Sequence, residues 1–321
     1  MSGGPDADLP VIFISGKGRS GSTVLSMVLG ELDGVVAGGE LRFLWQRGLV
    51  ENRNCGCGRP FSECPVWSEV TDRVSLEGGT PTGDVEQIAA THDRLFRWAA
   101  VPRLLAGGRA VRDWDDLDRW GAAAGRLYRS LAEATGARVV IDSSKWPVDP
   151  GLLGLVPGIR PVAVQLVRDP RAVAWSWQRR RAQYDRSEVR EMDRFGPAHS
   201  SASWAARNVV VEAATTRWRV PHLLLRYEDF VDDPSTSVRR IGEVAGVDLD
   251  PGGVVEGRTV RRSVNHTVAG NPARFGEGLI ELRPDDEWRE GLPRHQRWAV
   301  TAMTAPLLGR YGYPLRLGTE S

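Results

Sequence analysis

The segment Val11–Thr23, VIFISGKGRSGST, constrains the fold more than any other, because an apolar, β-branched run breaks directly into a glycine-rich turn. The turn carries Lys17, Arg19, Ser22 and Thr23. After it, apolar residues recur at helical spacing (Val24, Leu25, Val28, Leu29, Leu32), so the turn is expected to end at a helix N-terminus with free N–H groups and the positive end of the helix dipole. Phosphate or sulfate is the natural guest of such a loop. Gly16 and Gly21 stand in P-loop register, but the slot where a nucleotide triphosphatase places its lysine holds Ser22. A lysine there spans two phosphates of a triphosphate. Its absence argues against ATP or GTP and for a donor with one compact anionic group at its 5′ end.

Strand-like runs alternate with helical ones along the chain, the pattern of a parallel sheet covered by helices. Strands are expected at Val11–Ser15, Val35–Ala37, Val139–Asp142, Val162–Val167 and Leu223–Arg226. Helices are expected at Thr23–Leu32, Leu41–Leu49, Val85–Leu105, Asp115–Thr135, Pro170–Gln183, Ser203–Trp218, Pro234–Ala245 and Arg294–Tyr311. The fold class is therefore α/β, a three-layer, P-loop-like arrangement with a central parallel sheet. Gly78–Gly83 and Asp248–Gly253 are turn-rich breaks rather than interdomain linkers. With 321 residues, 41% of them hydrophobic, and a net charge of +1, the chain suits a single domain spanning residues 1–321. Residues 68–138 exceed what one crossover needs and are expected to form a lid or acceptor-binding insertion. The near-neutral charge implies no partnership with nucleic acid. MSGGPDADLP lacks a leader pattern and no run reaches the ~18 apolar residues of a membrane helix, so a cytoplasmic location is expected.

Of the 42 basic residues only Lys17 and Lys145 are lysines. Lys17 lies in the anion loop and Lys145 follows the strand-like VVIDSSK; an ammonium is a compact point donor able to sit on one bridging oxygen, unlike the broad guanidinium fork. In LVRDPRAVAWSW (Leu166–Trp177), Arg168 closes a strand, while Asp169-Pro170 make an N-cap followed by proline at the first helical position. Ser176 follows two turns along, and the motif falls at the carboxyl edge of the sheet, where open α/β folds bind ligands. HTVAGNPARF (His266–Phe275) is an irregular polar segment with Asn271 and Arg274, of the kind that closes over anions. Cys55, Cys57 and Cys64 cluster in NCGCGRPFSECPVW; structural zinc takes four ligands and no fourth stands nearby, so reduced structural thiols, a disulfide and a metal site all remain open.

Taken together, these motifs resemble the sulfotransferases that use 3′-phosphoadenosine 5′-phosphosulfate (PAPS), and LLLRYEDF (Leu223–Phe230) followed by Asp233-Pro234 adds to the likeness. The resemblance covers most of the chain. It implies that the loop Lys17, Gly18, Arg19, Ser20, Gly21, Ser22 and Thr23 holds the 5′-phosphosulfate. Arg168 and Ser176 would hold the 3′-phosphate, and Arg274 would complete the nucleotide pocket. GGELRFLW (Gly38–Trp45) is similar to the segment carrying the catalytic glutamate in carbohydrate and tyrosylprotein sulfotransferases, and Glu40 matches it. The implied catalytic set is Glu40 as base, with Arg19 and Lys145 neutralising the leaving oxygen and no metal required. The acceptor implied is a hydroxyl on a sugar, glycolipid or secondary metabolite; oligomeric state is not readable. Two alternatives stand beside this: a P-loop small-molecule kinase, in which Asp142 would act as a metal-holding carboxylate, and a non-catalytic nucleotide-binding relative. Trp175, Trp204, Trp218 and Trp298 fall at helix positions compatible with core packing.

Overall fold

In the computed structural model, residues 8–76, 82–180, 182–183, 190–191 and 193–315 are described. Five parallel strands form the central sheet: β1 (Leu9–Ser15), β2 (Val35–Gly39), β3 (Val139–Lys145), β4 (Ile159–Val167) and β5 (His222–Arg226), in the order β2-β3-β1-β4-β5. All five expected strands are present, each extended by one to three residues. Strand β1 is central because nearly every side chain on it is apolar. Val11 and Phe13 face one hydrophobic cluster and Ile12 and Ile14 the other, as the two-residue period of a doubly covered strand requires. The chain turns to opposite sides of the sheet on leaving β1 and β4, so the crevice at their carboxyl ends is a topological switch point.

On one face lies α1 (Ser22–Gly30), with the helix Pro234–Ala245; on the other are helices between β2 and β3, including α2 (Asp115–Thr135). Beyond β4 run α3 (Pro170–Gln178) and α4 (Pro197–Trp218). A small antiparallel sheet, Val255–Glu256, Thr259–Arg262 and Gly278–Glu281, flanks the core. Among the described residues no helix is long and apolar enough to cross a membrane.

Several boundaries differ from expectation for local reasons. The helix expected at Leu41–Leu49 is a 3₁₀ turn, Leu41–Phe43, followed by a π-helix, Leu44–Val50, a wide form that recurs at functional sites. Gly48 lets that turn approach the Phe61 ring, which an added Cβ would meet at 3.0 Å. The helix expected at Val85–Leu105 spans Thr82–Leu95 and then breaks, because Arg97 is extended and Pro102 restarts a helix at Val101–Ala106. Helix α3 ends at Gln178, before an extended Arg179. The break at Gly78–Gly83 lies mostly outside the described residues. Trp204 is fully buried, but Trp298 is 68% exposed and packs no core.

Candidate active site

Strand β1 delivers the chain into the loop Gly16–Gly21, and backbone geometry there leaves no choice of residue at two points. Gly16 has φ +128°, and a Cβ would lie 2.5 Å from the Leu166 carbonyl oxygen of β4; Gly21 has φ +90°, and a Cβ would lie 2.3 Å from the Tyr227 ring. Gly21 is the N-cap of α1 and offers no side-chain oxygen, and Leu25 is the first amide to return to the Gly21 carbonyl. The amides of Ser22, Thr23 and Val24 are therefore left as donors at the dipole's positive end. That donor set suits a phosphate or sulfate group, the guest expected of the loop. Arg19 adopts the left-handed conformation, φ 76°, a strain that non-glycine residues hold only when their surroundings fix it. Its guanidinium lies 4.9 Å from the Trp177 ring centre.

The loop opens on a cleft of about 600 Å³. Gly18, Arg19, Gly21, Ser22, Thr23, Glu40, Lys145, Arg168 and Ser176 all line it, drawn from segments up to 158 residues apart in sequence. Two strand irregularities bring the central pair together. The β1–β3 register shifts between Phe13 and Ser15, setting Ser15 against Lys145, and the β2–β3 register shifts between Ala37 and Gly39. Bulges of this kind re-aim side chains. Lys145, left-handed at φ 64°, donates from Nζ to Glu40 Oε1 at 2.6 Å and to the Ser143 carbonyl at 2.9 Å. Burial pushes the Glu40 carboxyl up, but Lys145, helped by Arg47 and Arg42, outweighs it and holds Glu40 below its usual range. Glu40 is thus anionic at neutral pH.

Arg168 stands where expected, at the end of β4, with Asp169 capping α3 by accepting from the Arg171 amide at 2.8 Å. Its guanidinium donates to the Arg19 carbonyl at 2.9 Å, lies over Tyr227 and is ion-paired with Asp285. Ser176 is buried beside the cleft.

Three expected ligands do not line it. Lys17 Nζ donates to Ser203 Oγ of α4 at 3.0 Å, 4.8 Å from the Trp177 ring centre; burial, then Arg207, bring its pKa down to about 8. Ser20 is buried in the loop. Arg274 is 1% exposed and donates to the carbonyls of Thr267 (2.5 Å) and Asn54 (2.8 Å), so it braces the loop from behind while Gly270, Asn271 and Ala273 face the cleft. A long side chain in an irregular segment has no periodicity to reveal which way it turns.

The structure adds Phe43, Arg47, Trp177, Glu191, Asp193, Tyr227 and Asp285 to the lining. Tyr227 belongs to the LLLRYEDF motif and could have been drawn from it; Asp285 and Asp193 carried no signal. Asp142 faces elsewhere: its carboxylate accepts from Tyr128 OH at 2.6 Å and the Ser144 amide at 2.7 Å, and burial raises its pKa to about 6.

Fold and cleft together define an α/β protein whose switch-point crevice is built for a compact anion beside a carboxylate–ammonium pair. The chain belongs to the sulfotransferase family, whose sequence pattern it matches over residues 10–251. Membership supports an enzyme that transfers sulfate. No curated protein sequence matches the chain significantly. Among solved structures, the sulfotransferase domain from the curacin biosynthetic pathway aligns with a TM-score of 0.51 at 14% identity, covering 97% of this chain and 99% of that one. The sulfotransferase domain from the Synechococcus PCC 7002 olefin synthase aligns at 19% identity over 98% and 99%, with a TM-score of 0.47. The first of these likenesses bears on the fold.

Proposed function

We propose that the protein transfers the sulfuryl group of PAPS to an acceptor hydroxyl, with Glu40 as the general base. The observation that carries the reading is the Glu40–Lys145 pair, 2.6 Å apart, in one cleft with the uncapped N-terminus of α1. The donor supplies a sulfuryl group whose departure leaves negative charge on the bridging oxygen. Everything else falls to the chain. The amides of Ser22, Thr23 and Val24 and the Thr23 hydroxyl hold the 5′ anion, while Arg168 and Ser176 take the 3′-phosphate. Glu40 accepts the acceptor's proton on a carboxylate oxygen as the new S–O bond forms. Lys145, already directed into the cleft, and Arg19 neutralise the leaving oxygen.

Arg168 is held by Asp285 in this state, so 3′-phosphate binding replaces one anionic partner with another. Acceptor recognition falls to the cleft's outer lining, Phe43, Arg47, Glu191 and Asp193, where a hydroxyl-bearing sugar, glycolipid or secondary metabolite is accommodated. The helices of residues 68–138 supply none of the described lining. They support it instead, with His92, Phe96 and Trp120 packed around Leu41 and Trp45 beneath the Glu40 segment.

A P-loop kinase is disfavoured on two counts: Ser22 replaces the phosphate-spanning lysine, and Asp142 spends its carboxylate on Tyr128 and Ser144. Thermal shift with PAP (the desulfated product), PAPS, ATP and GTP, each with and without magnesium, tests the reading. Stabilisation by PAP and PAPS alone, indifferent to magnesium, is expected. Magnesium-dependent stabilisation by ATP or GTP overturns it.

A further inference from the structure

Away from the cleft mouth, the structure supplies the fourth ligand that spacing alone does not provide. Cys55, Cys57 and Cys64 meet His266, which lies 202 residues beyond Cys64, and the ligand atoms of all four lie within 4.8 Å of one another. His266 Nδ1 is 3.2 Å from Cys64 Sγ and 3.9 Å from Cys55 Sγ. In a tetrahedral zinc site, Zn–S bonds of about 2.3 Å and a Zn–N bond of about 2.0 Å put neighbouring ligand atoms about 3.5–3.8 Å apart. The two measured N–S distances bracket that range, and the four ligand atoms, all within 4.8 Å, need only close in slightly on an ion. All three cysteines are free thiols, and Cys55 and Cys64 are buried.

We propose that Cys55, Cys57, Cys64 and His266 form a structural zinc site. The local backbone is already shaped for it. Residues 54–60 make a tight turn in which the Cys55 amide donates to the Arg59 carbonyl at 2.8 Å and the Gly58 amide to the Cys55 carbonyl at 2.9 Å, with Gly58 at φ +83°. Cys64 stands directly before the helix Pro65–Leu76, whose Ser68 amide returns to its carbonyl. His266 is oriented from behind by Trp67, whose Nε1 donates to the His266 carbonyl at 2.7 Å. Three cysteines and one histidine leave no open coordination position, which marks a closed, structural site rather than a catalytic one.

The position of His266 gives the ion its task. The segment that follows pairs with the end of β2: Val268 donates to the Gly38 carbonyl at 2.9 Å, and the Glu40 amide donates to the Ala269 carbonyl at 3.1 Å. It then continues to Gly270 and Asn271 in the cleft wall. A zinc ion would pin this strap to the 54–64 turn and so set the backbone on which Glu40 sits. This proposal holds whether or not Glu40 is the base.

The test is metal content by mass spectrometry on full-length protein purified under reducing conditions from zinc-supplemented cells. Close to one zinc per chain is expected, with most of it lost in Cys57→Ser and in His266→Ala. Because either variant can misfold, wild-type protein stripped with chelator is also titrated with cobalt(II). The visible bands of a tetrahedral, thiolate-rich cobalt centre are expected, displaced by equimolar zinc. Chelation should lower Tm by several degrees, with recovery on adding zinc and none on adding magnesium. Metal-free wild type that gives no such bands, zinc content unchanged in His266→Ala, or a Cys55–Cys64 disulfide in unreduced protein overturns the proposal.

Discussion

Replacing Glu40 with glutamine separates its proposed job as base from its observed pairing with Lys145. The amide side chain keeps the length and an oxygen able to accept from Lys145 Nζ, but cannot take a proton. Loss of general-base catalysis costs about 10²- to 10⁴-fold in kcat, which is about 2.7–5.4 kcal/mol of barrier at ~1.36 kcal/mol per decade. PAP affinity, assigned by the proposal to the α1 amides and Arg168, should change by less than about threefold, well under 1 kcal/mol. The side chains of Lys145 and Glu40 are only 12% and 15% exposed, so unpairing the ammonium also lowers stability, and Tm must be read beside kcat.

The cycle is completed with Lys145→Met. Without its ammonium, burial of Glu40 is opposed only by Arg47 and Arg42, so the Glu40 pKa rises. Since the base must be deprotonated, the acid limb of the kcat/KM profile should move to higher pH in Lys145→Met, whereas the wild-type limb lies below the ordinary carboxylate range. Single-turnover transfer from labelled PAPS to an acceptor found by screening supplies the rates. A folded Glu40→Gln enzyme that keeps kcat within about threefold refutes the base assignment. If Glu40→Gln costs nothing in the Lys145→Met background, Glu40 acts only by placing Lys145.

Three further predictions follow from other contacts. Asp285→Asn removes the carboxylate paired with Arg168 and should tighten PAP several-fold by calorimetry, while Arg168→Ala weakens PAP far more than adenosine 5′-phosphosulfate; equal weakening of both refutes the 3′-phosphate role. Gly21→Ala drives a Cβ into the Tyr227 ring at a left-handed φ and should lose at least about 1 kcal/mol of stability in urea unfolding, together with PAP binding. Lys17 binds protons less well folded than unfolded, so stability should rise with pH between about 8 and 10.5 and carry its full penalty below 8. The difference corresponds to roughly 3 kcal/mol at most. Lys17→Met should flatten that rise and leave PAP affinity within about threefold, since the ammonium sits on Ser203 rather than in the cleft.

The sheet was legible because β1, β3 and β4 are buried on both faces and read as continuous apolar runs, and because Asp169-Pro170 and Gly21 mark helix starts chemically. Lys145 and Arg168 were legible for a related reason, since each sits at the end of a strand, and Ser176 follows two turns along the helix that Asp169-Pro170 starts; Glu40 was drawn from the likeness of its segment to the family. What stayed hidden depends on pairings across long stretches of chain. Asp285 finds Arg168 117 residues away, and His266 joins thiols more than 200 residues upstream. No periodicity encodes such meetings. The positions of Arg274 and Lys17, both buried outside the cleft lining, were likewise settled by neighbours, Asn54 and Ser203, that local sequence does not name.

The chain's near-total preference for arginine has a practical consequence. Of its two lysines, Lys145 lines the cleft and is bonded to Glu40, while Lys17 lies outside the lining, bonded to Ser203. Reagents that acylate amines therefore find almost nothing to modify elsewhere on the chain, and the yield at Lys145 relative to Lys17 becomes a direct reporter of cleft occupancy. A donor or acceptor analogue that fills the cleft would protect Lys145 first, which turns an accident of composition into a built-in footprinting probe for acceptor discovery.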